Sequence, residues 1–499
     1  MGQKTEARFR ALMEKIEYLN NIAQTLSWDM RVNMPPAAAA YRGEEMGLLA
    51  GQVHALQTSE EMEALLLPLE EQPIADPILR AMVQKARRDL DRLRNVPQDL
   101  LAAYAAHNLK TEHLWPRARA ENDYELIRPF LEQEFAYKRE LAACCGFPDD
   151  PLTGLMDQWE SGTTRAEVDG LFNTLKTALV PLAQALRDLP QPDQTPLRGL
   201  FPKEKQQAFC HELLRAVGFD FDRGRLDESP HPYTTFNFRK DIRITCRYFE
   251  DNFTRAALSC LHEGGHAIYW QNMAPDLDGT GLGQSASLAL DESQARFLEC
   301  VLGHSLPFWT WALPTARRWF PELAETSPEA FWRGLSALRV TPFRLGSDEL
   351  SYNLHILLRY ELEKELFAGT VSFADLPAAW SEKARAYLGV SPRNHSEGVL
   401  QDMHWFSGYI GYFQNYVMGN CYASLFFRAM QRDVPDLMDR VSQGDFSPVK
   451  AWNQAHIHRF GATKPAREIL RDATGEALSA GAYIDDIREK YARIYGLQA

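Results

Sequence analysis

Apolar residues recur at three- and four-residue intervals along most of this 499-residue chain, as at Ile78, Met82, Ala86, Leu90 and Leu93. That spacing gathers a buried stripe on one helical face and does not match the two-residue period of a strand, so a mainly α fold is expected. One stretch departs from the pattern. In Asp241-Ile-Arg-Ile-Thr-Cys-Arg-Tyr248 apolar and polar residues alternate, as in a half-buried strand, and the Thr- and Phe-rich stretch 233–239 offers a hairpin partner. A small sheet is therefore expected, with an edge suited to an extended peptide. Breaks rich in Pro and Asp at 72–77, 146–151 and 189–202 read as connections between helices. The whole chain, 1–499, is read as one domain whose third break separates an N-terminal helical region, 1–200, from a region 201–499 that carries the chemistry.

Several function classes are disfavoured at once. No apolar run approaches the length of a membrane helix, and the N-terminus alternates charges with apolar residues where a secretory signal would be uninterrupted. A net charge of −13 argues against a nucleic-acid partner, because phosphate binding rests on clustered Lys and Arg. The seven cysteines are scattered, apart from the adjacent Cys144 and Cys145, and none shows the spacing of a paired-cysteine metal or redox motif. Reduced thiols in a cytoplasmic protein are the simplest expectation.

The most chemically specific segment is His262-Glu-Gly-Gly-His266. Two histidines four residues apart share a helical face and can reach one ion, while Glu263, rotated about 100° from His262, can activate the attacking water. Asn252 is placed to cap this helix, and Ala257, Leu261 and Ile268 supply its buried stripe. Gly264 and Gly265 each cost a helix interior roughly 1 kcal/mol relative to alanine, so something must come close there, a substrate or a neighbouring strand. Catalytic zinc commonly takes three protein ligands and keeps its fourth position for water. A second capped helix, Ser287 to Arg296, offers the third ligand, and spacing alone leaves Asp291, Glu292 and Glu299 open.

Three further stretches combine residues that peptide hydrolysis needs: His231-Pro232-Tyr233, Arg344 to Arg359, and Gly398-Val-Leu-Gln-Asp-Met-His-Trp405, with Tyr409, Tyr412 and Tyr416 close behind. Histidine or tyrosine can donate to a developing oxyanion, and an arginine fork can grip a carboxylate. Glu349, Glu361 and Glu363, on one long helix, are expected to be solvated or ion-paired.

Taken in order, these segments resemble the thermostable carboxypeptidase family, the Taq-type metallocarboxypeptidases, over nearly the whole chain. The resemblance runs from Trp28-Asp29 and Met34-Pro35 through His231-Pro-Tyr, Asp241-Ile-Arg-Ile-Thr245 and the His262–His266 motif. It continues in Glu292-Ser-Gln, Arg344 with Asp348-Glu349, Gly398 to Trp405 and Gly411-Tyr412-Phe413. The resemblance implies a large helical zinc-peptidase fold with a deep groove and a small sheet beside the motif helix. It implies one divalent metal per chain, Zn2+ first and Co2+ or Mn2+ as alternatives, bound by His262, His266 and Glu292, with Glu263 as general base. It also implies that Arg344 holds the substrate's free carboxylate while His231, His404 and Tyr412 surround the scissile carbonyl. A homodimer that removes single residues from peptide C-termini, with broad specificity and proline disfavoured, completes the expectation.

Departures from the family pattern are local. Asp291 stands where the family usually has histidine, Phe343-Arg-Leu-Gly-Ser-Asp348 replaces Ile-Arg-x-x-Ala-Asp, and Gln414 replaces a proline. Asp291 can accept a hydrogen bond from a ligand histidine, tune the metal, or compete as a ligand. Two other functions remain compatible with the residues: an oligopeptidase cutting internal bonds, and a catalytically silent helical peptide-binding protein.

Overall fold

The computed structural model describes residues 2–497, and most of them are helical. The chain forms two compact units, each assembled from separated segments. The first comprises the segment up to Leu93, Asp193–Leu335 and Tyr422–Leu478; the second comprises Arg94–Pro192, Ser336–Cys421 and the segment from Ser479 onward.

In the first unit, helices Gly2–Val32, Glu60–Glu70 and Pro77–Leu93 close over a core that includes Phe9, Met13, Ile16, Leu66, Met82 and Leu90. The expected break at 72–77 separates the last two of these helices. The same unit holds a three-stranded sheet, β1 (Gly224–Glu228), β2 (Thr234–Phe238) and β3 (Asp241–Cys246), in the order β1-β3-β2. β2 and β3 form the expected antiparallel pair, with an irregularity between Phe236 and Phe238, and the alternation of β3 buries Ile242 and Ile244 completely. β1 runs parallel to β3 and was not read from the sequence, because Gly224-Arg-Leu-Asp-Glu228 carries no apolar alternation. Its backbone pairing with β3, from Gly224 opposite Ile242 to Glu228 opposite Cys246, places it in the sheet.

β3 packs on helix α1 (Phe253–Gln271), whose N-cap is Asn252: its side chain accepts from the Thr254 amide at 3.0 Å. Helix α2 (Leu288–Arg296) crosses α1 at Gly265, where a Cβ would stand 2.3 Å from the Gln294 carbonyl oxygen and 2.6 Å from Ala295 Cα. The close neighbour expected at the paired glycines is thus a helix, not a strand or a substrate. At Gly264 the limit is the Leu214 side chain, 2.6 Å from where a Cβ would be. Any larger residue at 265 would force the two helices apart.

The second unit is built around helix α3 (Glu349–Ala368), capped by Asp348, whose carboxylate accepts from the amides of Leu350 and Ser351 at 2.9 and 3.0 Å. Helices Arg165–Arg187 and Leu376–Leu388 pack along it. On α3, Glu349 pairs with Lys490, and Glu361 pairs with Lys176 at 2.9 Å and Lys383 at 3.1 Å, as the solvated or ion-paired reading required. Glu363 does not follow that reading. It is fully buried, and its carboxyl group accepts from Trp405 Nε1 at 2.6 Å and from the Gly411 amide at 3.0 Å. Gly411 has a φ of 67°, a conformation glycine adopts without strain, and this presents its N–H to Glu363.

Candidate active site

α1 turns His262 and His266 onto one face, with ring centroids 5.1 Å apart. α2, held close by the absence of a side chain at Gly265 and capped by the Ser287 side chain, which accepts from Leu290 N at 3.0 Å, brings Glu292 to the same place. One donor atom from each of His262, His266 and Glu292 lies within 4.8 Å of the other two, and His266 Nε2 is 3.7 Å from Glu292 Oε2. Asp291 and Glu299 lie on the other side of the imidazoles. Glu299 Oε2 is 2.9 Å from His262 Nδ1, and Asp291 Oδ1 is 3.0 Å from His266 Nδ1. A carboxylate on Nδ1 fixes the tautomer with its proton there and leaves Nε2 as a lone-pair donor. Glu299 comes from a short π-helical turn, Phe297–Leu302, that continues α2 and is held by Arg296 Nη1 at 2.8 Å.

The electrostatics favour a cation. Burial pulls the His262 pKa down, but Glu292, Glu299 and Glu263 outweigh it and raise the value to about 9. His266 is also raised, by Asp291 against the effect of burial. Burial would push Glu299 up, yet Arg296 and His262 hold it well below the usual carboxylate range, so it stays ionised. A field that draws a second proton onto half-buried imidazoles equally draws a metal ion. Glu292 Oε1 is buried and has no hydrogen-bond partner, an unmet demand that a ligated cation answers. These residues therefore fit a divalent metal chemically as well as geometrically.

Glu263 is raised by burial, with His262 and His266 pulling the other way. Thr234 Oγ1, on β2, donates to its Oε2 at 2.6 Å and so fixes the carboxyl orientation. Trp270 Nε1 lies 3.3 and 3.4 Å from the two oxygens of Asp291, and its ring stacks on Phe236 with centroids 4.0 Å apart. His231 is exposed at the turn entering β2, and its backbone carbonyl accepts from Ser229 Oγ at 2.6 Å.

The second unit gathers the other expected residues. Arg344 is buried; its Nη2 is 3.0 Å from Asp402 Oδ1, its Nε reaches both Asp402 oxygens at 3.3 and 3.2 Å, and its Nη1 donates to the Tyr352 hydroxyl at 3.0 Å. Arg359, also buried, binds the other Asp402 oxygen. Burial would raise Asp402, but the two guanidinium groups hold it well below its ordinary range. His355 is pushed well down by burial and by Arg359, so it remains neutral. Two arginines against one carboxylate leave this cluster with net positive charge. His404 and Tyr412 stand beside it, with ring centroids 5.8 Å apart; His404 Nε2 is 3.4 Å from the Tyr416 hydroxyl, and Trp159 packs edge-on to Tyr412 at 5.2 Å.

Thus the structure brings His262, Glu263, His266 and Glu292 together in one unit, and Arg344, His404 and Tyr412 together in the other. Sequence reading missed Thr234, Arg359, Asp402 and Tyr352 as members of these networks. Asp402 lay inside a quoted segment and Arg359 at the end of another, but nothing in their spacing shows that they meet.

A helical protein that gathers two half-buried imidazoles and two buried glutamates at one place has the architecture of a metallopeptidase. The family model described as carboxypeptidase Taq (M32) metallopeptidase matches residues 8–491, and the chain belongs to that family. Thermostable carboxypeptidase 1 of Thermus thermophilus is 36% identical over 98% of this chain and 99% of its own length. Carboxypeptidase 1 of Bacillus subtilis is 35% identical over 98% of each. The crystal structure of the M32 carboxypeptidase from Deinococcus radiodurans R1 superposes with a TM-score of 0.96 at 33% identity, covering 99% of this chain and 100% of that one. The protein is a metal-dependent carboxypeptidase, with peptides as substrate and a divalent metal as cofactor. Among the described residues no helix is long and apolar enough to cross a membrane.

Proposed function

We propose that this carboxypeptidase removes single residues from peptide C-termini, with broad specificity and proline disfavoured, using one Zn2+ per chain held by His262, His266 and Glu292. The observation that supports the ligand assignment is the pair of Nδ1–carboxylate contacts, which leave both Nε2 atoms as donors beside Glu292, one of whose oxygens is buried and unpartnered. When bound, the ion polarises the scissile carbonyl and acidifies the attacking water. Glu263, with Oε2 engaged by Thr234, takes the water proton on Oε1 and returns it to the leaving amine. Burial raises its pKa above the ordinary carboxylate value, which helps it hold the proton between the two steps. His404 and Tyr412 donate to the developing oxyanion. Arg344 keeps one N–H on each terminal nitrogen after serving Asp402 and Tyr352, and with them grips the substrate's free carboxylate; His231 contacts the bound peptide. A C-terminal proline presents a tertiary amide without an N–H, which accounts for its poor cleavage.

Two broader assignments belong to the same reading. Among the described residues no cysteine is in a disulfide, which supports a reducing, cytoplasmic location. A homodimer is proposed on the family resemblance. The test of the activity is digestion of one peptide and its C-terminally amidated twin by the zinc-loaded enzyme, followed by mass spectrometry. Stepwise loss of single residues from the free acid alone is expected; internal fragments from both peptides would identify an oligopeptidase instead.

A further inference from the structure

Three cysteines far apart in sequence converge in the first unit. Cys210 lies on the helix Lys203–Val217, Cys246 ends β3, and Cys260 is on α1. Their sulfur atoms all lie within 4.8 Å of one another, none is in a disulfide, and exposure is 1% for Cys210 and zero for the other two. A single buried cysteine packs as a small apolar residue, as Cys421 does. Three sulfurs this close together, brought from three separate elements, are a donor set.

We infer that Cys210, Cys246 and Cys260 form a second metal site, distinct from the His262–His266–Glu292 cluster, that takes a thiophilic divalent d10 cation such as Zn2+ or Cd2+. The chemistry of the set selects the ligand. Among the described residues no carboxylate or imidazole joins the three sulfurs, so Mg2+ and Ca2+, which require oxygen ligands, are excluded. Metal–thiolate bonds of about 2.3 Å place sulfurs about 4 Å apart around a shared ion, within the span observed here. Burial demands a neutral product. The ion forms bonds to two thiolates and to the sulfur of one remaining thiol; the two displaced protons pass to solvent, and the charge of the ion is cancelled. The Ala256 carbonyl oxygen, 3.5 Å from Cys246 Sγ, is a fourth donor for an ion that prefers four.

The position matters because Cys260 precedes His262 by half a turn on α1, pointing roughly 200° away from it. An ion there ties the back of the catalytic helix to β3 and to the Lys203–Val217 helix.

The test uses the zinc-loaded holoenzyme and Cd2+ as probe, under a non-thiol reductant. Cd2+ is supplied once to the folded protein and once during refolding, so that slow access to a buried site cannot hide binding. One Cd2+ per chain beyond the metal at His262, His266 and Glu292 is expected, displacing any zinc already on the three thiols, with near-ultraviolet sulfur-to-cadmium charge transfer and three sulfur neighbours by cadmium X-ray absorption. The band is expected to be lost in Cys210→Ala and Cys246→Ala and kept in Cys421→Ala. Only nitrogen and oxygen neighbours under both loading conditions, or a band that survives Cys210→Ala and Cys246→Ala, would overturn the site. If those variants fail to fold, the sulfur count in the unaltered protein decides.

Discussion

Each compact unit buries a charged cluster, and the two are built with opposite sign. In the first, His262 and His266 sit among Glu263, Asp291, Glu292 and Glu299, and the surplus of carboxylates lifts the imidazole pKa values. In the second, Arg344 and Arg359 share the single carboxylate of Asp402. Neither imbalance is a stability device, since buried charges lose more in desolvation than they regain unless fully compensated. An uncompensated buried charge is retained where a ligand of opposite sign completes it. The two imbalances support the proposed reading, in which a cation completes one cluster and the peptide's terminal carboxylate the other.

The most severe way to separate roles inside the negative cluster is Glu263→Gln. Turnover is expected to fall roughly a hundred- to ten-thousand-fold, the usual contribution of a general base, while metal content by atomic absorption stays unchanged. Near-normal kcat would remove Glu263 from the chemistry. Loss of metal together with activity would move it into the ligand set.

Chelation followed by reloading probes the sign of the cluster itself. In the metal-free protein His262 holds a proton up to about pH 9, so that proton's contribution to stability is complete below the ordinary histidine value and disappears as the pH rises through about 9. Metal must displace this proton. Apparent metal affinity is therefore expected to fall about tenfold for each pH unit below about 9, measured by competition with a chelator of known pH dependence. An affinity flat between neutral pH and that point would mean the carboxylates do not act on His262 as described.

Asp291→Asn sharpens the same point at the carboxylate that faces His266. The amide can still accept from Trp270 or from His266, but it no longer carries the charge that holds His266 Nδ1–H at 3.0 Å. Metal affinity is expected to drop about ten- to a hundredfold with Glu292 intact. An unchanged affinity would show that Asp291 merely fills space beside His266.

What the sequence made legible follows the range of the interactions involved. Helical periodicity, the β2–β3 pair and the Asn252 and Ser287 caps depend on neighbours in the chain, and all were readable. The two histidines were readable for the same reason, four residues being one helical turn. The third donor was not, because Asp291, Glu292 and Glu299 differ only in the direction each takes from α2, and that direction depends on how closely α2 crosses α1 at Gly265. The glycine pair announced a close approach without saying what approached. The thiol cluster was invisible for a related reason: Cys210, Cys246 and Cys260 come from two helices and a strand, and no local spacing records their meeting. Glu363 was misread because its partners, an indole and a backbone amide, carry no charge pattern to find.

Glu363 also supplies the mildest test of the comparison, on the positive side. Burial pushes its carboxyl up to about 8, against the pull of the Trp405 and Gly411 hydrogen bonds and of Arg359, so at neutral pH it is protonated and leaves the arginine surplus standing. In the unfolded chain the same group titrates near 4.3. Between the two values the folded protein binds a proton that the unfolded chain does not, so stability falls as the pH rises, by at most about 1.4 kcal/mol per pH unit, and the contribution is gone above about 8. Glu363→Gln, which mimics the protonated group, is expected to remove this slope when urea midpoints are compared between about pH 5 and pH 9. It should also spare the variant a rise in KM for free-acid peptides above about pH 8, where ionised Glu363 in the unaltered enzyme offsets part of the arginine charge. Parallel stability curves for the two proteins would mean that Glu363 titrates as an ordinary carboxylate, and the positive sign of the second cluster would then be weaker than two arginines against one aspartate imply.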